Sequence, residues 1–339
     1  MPDHTHIGNR RFVLKTRPTR IPEPEQFAEE TVPVRTPDRG EVLLETLLLS
    51  IDPSMRGSIG ATPPMGARIE VGDVMRGSGI ARVLESRAEG FVPGEIVQGT
   101  IGWESHPTLR AEQLEKLDLN LGGPLDWIGL LGMTGLTAYF GMRYVGAVRP
   151  GDTVLVSAAA GGVGQVAGQI GKIEICRVVG VAGGAEKCSR LTGEFGFDAA
   201  IDYRAAPDLT SAIARACPDG LDVYFDNVGG PTLDAALANL RMGARVVICG
   251  RISQAAGGDL YGIRNLGVLI FKRARVQGLA FPDYANRYAE ARRWLAAHAK
   301  AGRLRQQLHV IDGLERAPVG LGMLFRGENN GKLVVRVAE

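Results

Sequence analysis

The spacing of hydrophobic and polar positions changes near residue 126 of the chain. Before that point, short apolar runs such as EVLLETLLLSID (41–52), ARVLESR (81–87) and EIVQGTIGW (95–103) are separated by Gly and Pro. Runs of this length, rich in β-favouring residues and bounded by turn residues, are typical of strands. The sequence therefore predicts a β-rich module, folded as a small irregular barrel.

Beyond residue 126 the apolar positions take helical spacing and then alternate between two patterns. DWIGLLGMTGLTAYFGMRYVG (126–146) repeats apolar residues every three or four positions, and strand-like and helix-like segments then follow in turn as far as residue 302. Such alternation predicts a parallel sheet covered on both faces. We predict a doubly wound α/β domain over residues 129–302, and a β-rich domain over residues 1–128 that is completed by residues 303–339.

Composition and charge narrow the class of protein. Of the 339 residues, 45% are apolar and 22% charged, as in ordinary folded proteins, and the net charge of +2 is spread without a basic block. We therefore expect no nucleic-acid partner. No apolar run approaches the roughly 18 residues of a membrane span, and the N-terminus lacks a signal-peptide core, so we expect a cytoplasmic protein. The four cysteines and five histidines are dispersed, and we predict no metal site.

A glycine-rich turn, LVSAAAGGVGQVAGQIGK (155–172), lies between a predicted strand and a predicted helix. It lacks the first glycine of the G-x-G-x-x-G pattern, but glycine at 161, 162 and 164 leaves the backbone uncovered where the helix begins. An abrupt strand end followed by a helix N-terminus is a binding site for a pyrophosphate. We predict that Gly161, Gly162, Val163 and Gly164 hold one; the alternative is a tight connection without a ligand.

The end of the next predicted strand indicates which dinucleotide binds. NAD-binding domains place an acidic residue about 20 residues after the turn, to bind the ribose hydroxyls. Here the sequence is VVGVAGGAEK (178–187), with Gly183 and Gly184 at the strand end, Glu186 beyond it and Lys187 next. A lysine in place of a carboxylate favours the 2′-phosphate of NADPH over NADH. The alternative is that Lys187 is a solvated surface residue.

With these features in place, the chain resembles the zinc-free medium-chain dehydrogenases/reductases, in the branch of the prostaglandin, alkenal double-bond and curcumin reductases. The motifs that carry the resemblance extend over nearly the whole chain: IDPSMRG, GDVMRGSG, GMTGLTAYFG, GAEKC, DVYFDNVGG, VVICGRISQ, KRARVQG and GENNGKLVV. It implies a GroES-like β domain, a Rossmann domain and a homodimer. It also implies that Lys187 and Tyr203 contact the adenosine phosphate end of NADP(H). The other cofactor contacts it implies are Asn227, Cys249, Gly250, Arg251, Ile252, Ser253, Leu279, Ala280, Phe281 and Asn329.

The reaction implied by the resemblance is hydride transfer from NADPH to the β-carbon of an α,β-unsaturated aldehyde or ketone, followed by protonation of the α-carbon. Charge collects on the carbonyl oxygen as an enolate, which a hydrogen-bond donor stabilises. Two alternatives remain open: reduction of a carbonyl or quinone, and a non-catalytic NADPH-binding protein.

The chain departs from the family pattern at two positions near the substrate. The family shows D-P-Y-M-R-G and I-S-Q-Y-N, whereas this chain has DPSMRG, with Ser54, and ISQAAGG, with Ala255. Loss of two phenol rings predicts a larger pocket with fewer donors. We take Tyr261 and Ser54 as the catalytic candidates, and packing in the pocket wall is the alternative for each. The predicted substrate pocket contains Met133, Tyr139 and Ala255.

Overall fold

The computed structural model describes residues 8–60, 68–255 and 261–338. The chain divides into two compact units. The first, here called the β-rich unit, comprises the described parts of Met1–Ile128, His309–Asn329 and Leu333–Glu339. The second, the α/β unit, comprises Gly129–Leu308 and Asn330–Lys332. Residues 303–308 and 330–332, which the sequence analysis assigned to the β-rich domain, fall in the α/β unit.

Strands are the main regular elements in the first part of the chain. Its elements are β1 (Gly8–Leu14), β2 (Phe27–Pro33), β3 (Glu41–Ser50), α1 (Ser54–Ser58), β4 (Arg76–Ser86), β5 (Ile96–Gly102), β6 (Thr108–Arg110), β7 (Leu114–Lys116) and α2 (Pro124–Ile128).

Helices and strands alternate in the middle of the chain. Its elements are α3 (Met133–Phe140), a π-helical turn (Gly141–Val145), β8 (Thr153–Ser157), α4 (Gly162–Ile173), β9 (Arg177–Ala182), α5 (Ala185–Gly193), β10 (Ala199–Asp202), α6 (Leu209–Ala216), β11 (Leu221–Asp226), α7 (Gly230–Leu237), β12 (Leu240–Ile248), α8 (Ile252–Ala255), α9 (Val268–Lys272), β13 (Arg275–Gly278), a 3-10 helix (Phe281–Arg287) and α10 (Tyr288–Lys300).

The C-terminal part returns to the β-rich unit. It forms β14 (Leu308–Asp312), α11 (Ala317–Arg326) and β15 (Lys332–Arg336). The last strand, β15, pairs antiparallel with β3, so both ends of the chain contribute to one sheet in the order β14-β15-β3-β4-β5-β7. Strand β3 is buried along nearly its whole length, which explains why its sequence is almost continuously apolar instead of alternating. Its side chains pack in a core with Trp103, Phe27 and Leu321.

The α/β unit is built on one six-stranded sheet. Its order is β10-β9-β8-β11-β12-β13, and neighbouring strands are parallel throughout. This is the doubly wound order in which ligands bind beyond the carboxyl ends of the strands. The predicted fold class, a Rossmann domain with a separate β-rich domain, is confirmed.

In the described ranges, none of the helices combines the length and apolar character needed to cross a bilayer.

Candidate cofactor site

The predicted cofactor residues of the α/β unit collect at one edge of its sheet. Each follows the carboxyl end of a different strand: the glycine turn follows β8, Lys187 follows β9, Tyr203 follows β10, Asn227 follows β11, and residues 249–253 and 279–281 follow β12 and β13. Because all six strands are parallel, their carboxyl ends lie along the same edge. Sequence-distant segments are thereby brought into one region.

The glycine turn provides a helix N-terminus without a side-chain cap. The Gly161 N–H donates to the Ala158 carbonyl oxygen over 2.9 Å, and Gly161 is the N-cap of α4. The first bond back into the cap runs from the Gln165 N–H to the Gly161 oxygen. The preceding N–H groups of α4 therefore have no partner within the helix and, with the positive end of the helix dipole, suit a phosphate.

Ala158, directly before Ala159 at the position of the missing first glycine, adopts a left-handed conformation, with φ of 46°. Such a backbone conformation costs an L-residue roughly 1–2 kcal/mol. The turn is therefore formed without glycine at this position, at the expense of local strain.

Glycine at position 162 allows two side chains to pack closely against the turn. A Cβ on Gly162 would lie 2.9 Å from the Thr134 methyl carbon and 3.1 Å from Cδ of Lys332. Lys332 is itself buried, and its neighbour Gly331 forms a parallel bridge with Gly161. Neither Thr134 nor Lys332 was identified from the sequence, although the GENNGKLVV motif contains the lysine. A glycine-lined cradle at a helix N-terminus fits a dinucleotide pyrophosphate.

We expect Gly164→Ala to destabilise the protein by about 1–3 kcal/mol, the usual cost of overpacking. A Cβ there would lie 2.8 Å from the Ala159 Cα and closer still to the Ala158 carbonyl oxygen, and both are backbone atoms of the turn. Denaturant unfolding measures the loss.

Gly193→Ala is the matched control for Gly164→Ala. Gly193 ends α5 with open space around it. Alanine should stabilise that helix by about 0.5–1 kcal/mol. Equal stability of the two variants would contradict the packing of the turn described above.

Two cations lie at the ends of β9 and β10. Lys187 is half-buried in the first turn of α5, and burial, followed by the nearby charge of Arg204, lowers its pKa. Gly183 leaves room for the neighbouring chain, since a Cβ there would lie 2.8 Å from the Tyr203 ring and 2.9 Å from Nε of Arg204. The Arg204 guanidinium lies 5.9 Å from the centre of the Tyr203 ring. This group of two cations and an aromatic ring, the phosphate cluster, suits a phosphate beside a planar base.

The carboxylates nearest the phosphate cluster have other partners. Asp202 accepts the N–H groups of Gly184 (2.9 Å) and Arg204 (3.0 Å), and these bonds lower its pKa. Glu186 accepts from Arg190 Nη2 at 3.2 Å and from Asn330 Nδ2 at 3.1 Å. Arg204, which the sequence analysis did not identify, is thus a second positive charge beside Lys187.

The segments after β11 and β12 are joined by hydrogen bonds. Asn227 Nδ2 donates to the Ser157 carbonyl oxygen over 2.7 Å, and the N–H groups of Cys249 and Gly250 donate to the Asp226 carbonyl oxygen. Ser253 Oγ donates to the Val228 oxygen over 2.6 Å. Burial raises the pKa of Cys249 to about 12, so this residue is a neutral thiol at physiological pH.

The remaining predicted contacts of this edge follow the same strands. Leu279 N–H donates to the Ile248 oxygen over 3.0 Å, and the Phe281 ring stacks with Tyr288 at 5.9 Å. Ala280 lies between Leu279 and Phe281 in the chain. Arg251 and Ile252 lie where α8 begins, and both are at least partly exposed. Asn329 lies in the β-rich unit.

The Tyr261 hydroxyl has a hydrogen-bond acceptor that the sequence did not indicate. Its hydroxyl donates to Oδ2 of Asp234, on α7, over 2.7 Å, and this bond raises the tyrosine pKa. A phenol has a single proton to donate. The prediction that Tyr261 donates to substrate is therefore not supported by its hydrogen bonding.

Ser54, the other catalytic candidate, has a different environment. It is exposed at the first position of α1 in the β-rich unit. The buried Arg56 fixes this short helix, since its guanidinium donates to the carbonyl oxygens of Pro18 (2.9 Å) and Arg20 (3.0 Å).

The predicted pocket residues differ in accessibility. Tyr139 is 1% exposed, and its hydroxyl donates to Glu290 Oε1 over 3.1 Å within an aromatic cluster that includes Trp294. Its helical spacing thus reflects core packing, and the prediction that it contacts substrate is not supported. Met133 is half-buried at the start of α3, and Ala255 is the last residue described before position 261.

Comparison with known proteins identifies the family. Residues 10–117 match the N-terminal domain of oxidoreductases, and residues 162–297 match the model described as zinc-binding dehydrogenase. Among the described residues, no three His, Cys, Asp or Glu side chains are grouped so as to hold a metal ion.

Three similar proteins cover almost the full length of the chain. The NADPH-dependent curcumin reductase of Escherichia coli (strain K12) is 41% identical, with 97% of each chain covered. The NADP(+)-dependent 2-alkenal reductase of Nicotiana tabacum is 38% identical, with 98% of each chain covered. The crystal structure of CurA from Vibrio vulnificus in complex with NADPH has a TM-score of 0.91 and 36% identity, covering 97% of this chain and 99% of that one. The chain therefore belongs to the medium-chain dehydrogenase/reductase family, as an oxidoreductase of the branch that contains the curcumin and alkenal reductases.

Proposed function

We propose that this protein uses NADPH to reduce the C=C bond of α,β-unsaturated aldehydes or ketones. The observation that carries the proposal is the edge of the parallel sheet, where an uncapped helix N-terminus and the phosphate cluster lie beyond adjacent strands. The names of the curcumin and alkenal reductases support this choice of substrate class.

Different residues of the α/β unit would bind different parts of NADPH. The N–H groups at the start of α4 would hold the pyrophosphate, and Lys187 and Arg204 would attract the 2′-phosphate while Tyr203 contacts the base. Asn227 and the segments 249–253 and 279–281 would line the remainder of the cofactor. When bound, NADPH supplies a hydride.

Ser54 is proposed as the donor toward the enolate oxygen. The Tyr261 hydroxyl already donates to Asp234, whereas Ser54 is exposed at the start of α1. A hydroxyl aimed at the oxygen where negative charge develops stabilises the transition state more than the ground state.

The proposed function is tested by the product. We expect incubation with NADPH and a panel of enals and enones to yield saturated aldehydes and ketones, identified by mass spectrometry and NMR. An allylic alcohol that retains its double bond would show carbonyl reduction instead. Absence of turnover with bound NADPH would indicate a non-catalytic binding protein.

We also propose that the protein is a homodimer joined at strand β13. In the described part of the chain this strand pairs only with β12, and the adjacent α9 carries Ile270 (77% exposed) and Phe271 (73% exposed). An edge strand beside exposed apolar side chains is suited to pairing with a second copy.

Light scattering with size exclusion tests the dimer. We expect Ile270→Glu combined with Phe271→Glu to convert the dimer to a monomer, because two carboxylates would be buried at the interface. Ile175→Glu is the control, since Ile175 is equally exposed but lies between α4 and β9. A monomeric wild type, or a double variant that stays dimeric, would contradict the proposal.

A further inference from the structure

A buried carboxyl group lies at the end of β11, next in the chain to the predicted cofactor residue Asn227. Asp226 is the last residue of β11 and has no exposed surface. Its Oδ1 accepts four hydrogen bonds: from Tyr224 Oη (2.7 Å), Ser157 Oγ (3.2 Å), Val228 N (3.0 Å) and Gly229 N (2.9 Å). No described residue donates to its Oδ2, which is also buried.

Burial of this carboxyl group is costly. Loss of hydration raises the pKa of Asp226, and the donors at Oδ1 offset the rise only in part. A buried acid with one oxygen lacking a donor destabilises a fold, so packing alone does not explain it. A hydrophobic residue would fill the space without that cost.

Ser157 connects Asp226 to the next residue of the chain. Its Oγ donates to Asp226 and accepts the Asn227 N–H over 3.0 Å, while its carbonyl oxygen accepts from Asn227 Nδ2 over 2.7 Å. Ser157 ends β8, the strand adjacent to β11. Both the backbone and the side chain of Asn227 are therefore held by one serine, which Asp226 orients.

This arrangement fixes the direction of the Asn227 amide. Since the Ser157 carbonyl oxygen can only accept, the amide nitrogen must face it and the amide oxygen must face away. No described residue donates to that oxygen, and the side chain is half-exposed. The oxygen is thus available to a ligand that donates, such as a ribose hydroxyl or a primary amide.

We propose that Asp226 and Ser157 are positioning residues that hold Asn227 as a hydrogen-bond acceptor for the cofactor. The inference rests on the proposed function, because it takes NADPH as the ligand. Asp226 also accepts the N–H groups of the loop that follows Asn227, and its carbonyl oxygen holds the 249–250 segment. One buried residue therefore contacts two cofactor-binding segments, through its carboxyl group at the first and its backbone carbonyl oxygen at the second.

A double-mutant cycle on NADPH affinity tests the proposal. We expect Asn227→Ala to raise the Kd for NADPH about 2- to 13-fold, the range for a neutral hydrogen bond. Ser157→Ala should weaken binding to a similar extent, and the double variant should bind no more weakly than Asn227→Ala alone, because Ser157 acts through Asn227. Additive losses would overturn the inference.

Conservative replacement separates positioning from simple stability. Asp226→Asn keeps an oxygen toward the four donors and should hold the Kd within about twofold of wild type, whereas Asp226→Ala should weaken binding at least as much as Asn227→Ala. Asp222→Asn, at the opposite end of β11, is the matched control. Asp222 accepts the Thr153 N–H over 2.9 Å and pairs with Arg241 over 3.0 Å, so loss of its charge should lower the Tm without changing the Kd.

A structural readout distinguishes failure of this inference from failure of the proposed function. In a cofactor-free crystal structure of Ser157→Ala, we expect the Asn227 backbone to shift from its wild-type position, because its N–H loses the Ser157 Oγ acceptor while the bond from Asn227 Nδ2 to the backbone carbonyl oxygen of residue 157 remains. An unchanged position of Asn227 would overturn the positioning role. Absence of NADPH binding by the wild-type protein would overturn the proposed function instead, and the position of Asn227 would still decide whether Ser157 positions it.

Discussion

Ser54→Ala is expected to slow enone reduction about a hundredfold to a thousandfold, equivalent to roughly 2.7–4 kcal/mol of transition-state stabilisation. The reason is loss of the hydroxyl that we propose donates to the enolate oxygen. The effect should fall on kcat, since charge develops on that oxygen only in the transition state. Steady-state kinetics at saturating NADPH measures it.

Tyr261→Phe is the matched comparison for Ser54→Ala. It removes one hydroxyl while preserving the ring, but that hydroxyl donates to Asp234, so we expect a change in kcat of less than about threefold. The reverse ranking would restore Tyr261 as the donor and exclude Ser54. If neither variant is slowed, a cofactor hydroxyl or an ordered water must stabilise the enolate.

Lys187→Ala is expected to weaken NADPH binding by roughly 1.5–3 kcal/mol, about 10- to 150-fold, with little change for NADH. Lys187 is half-buried beside Arg204. NADH has no 2′-phosphate for these two cations to bind. Arg204→Ala should act in the same direction. Combining the two should produce the largest loss of NADPH preference, measured by titration with each cofactor.

Stability provides an independent check on the role of Lys187. Burial and the charge of Arg204 already disfavour the protonated lysine, so its removal should not lower the Tm of the free protein. Arg215→Ala, on the exposed surface of α6, is the charge-matched control and should leave both Kd values unchanged. Equal losses for NADPH and NADH in Lys187→Ala would show that the lysine does not read the 2′-phosphate.

Local sequence chemistry was sufficient to predict the glycine turn and the class of fold. Alternation of strands and helices predicts a parallel sheet because both faces of such a sheet must be covered, and the structure has that sheet. Glycine at 161, 162 and 164 indicates a helix N-terminus that no side chain covers, and this indication does not depend on residues far away in the sequence. These features depend on neighbours within a few residues.

The roles of individual side chains depended on contacts between distant segments. The sequence indicates Tyr261 as a donor to substrate, but its hydroxyl donates to Asp234, 27 residues away. The sequence likewise indicates Tyr139 as a pocket residue, but its hydroxyl donates a hydrogen bond to Glu290, 151 residues away. Arg204 stands beside Lys187 only because β9 and β10 are adjacent in the sheet. The periodicity of a sequence determines which face of an element is buried. Only the packing of one element against another determines which donor meets which acceptor, because a hydrogen bond requires two groups within about 3 Å.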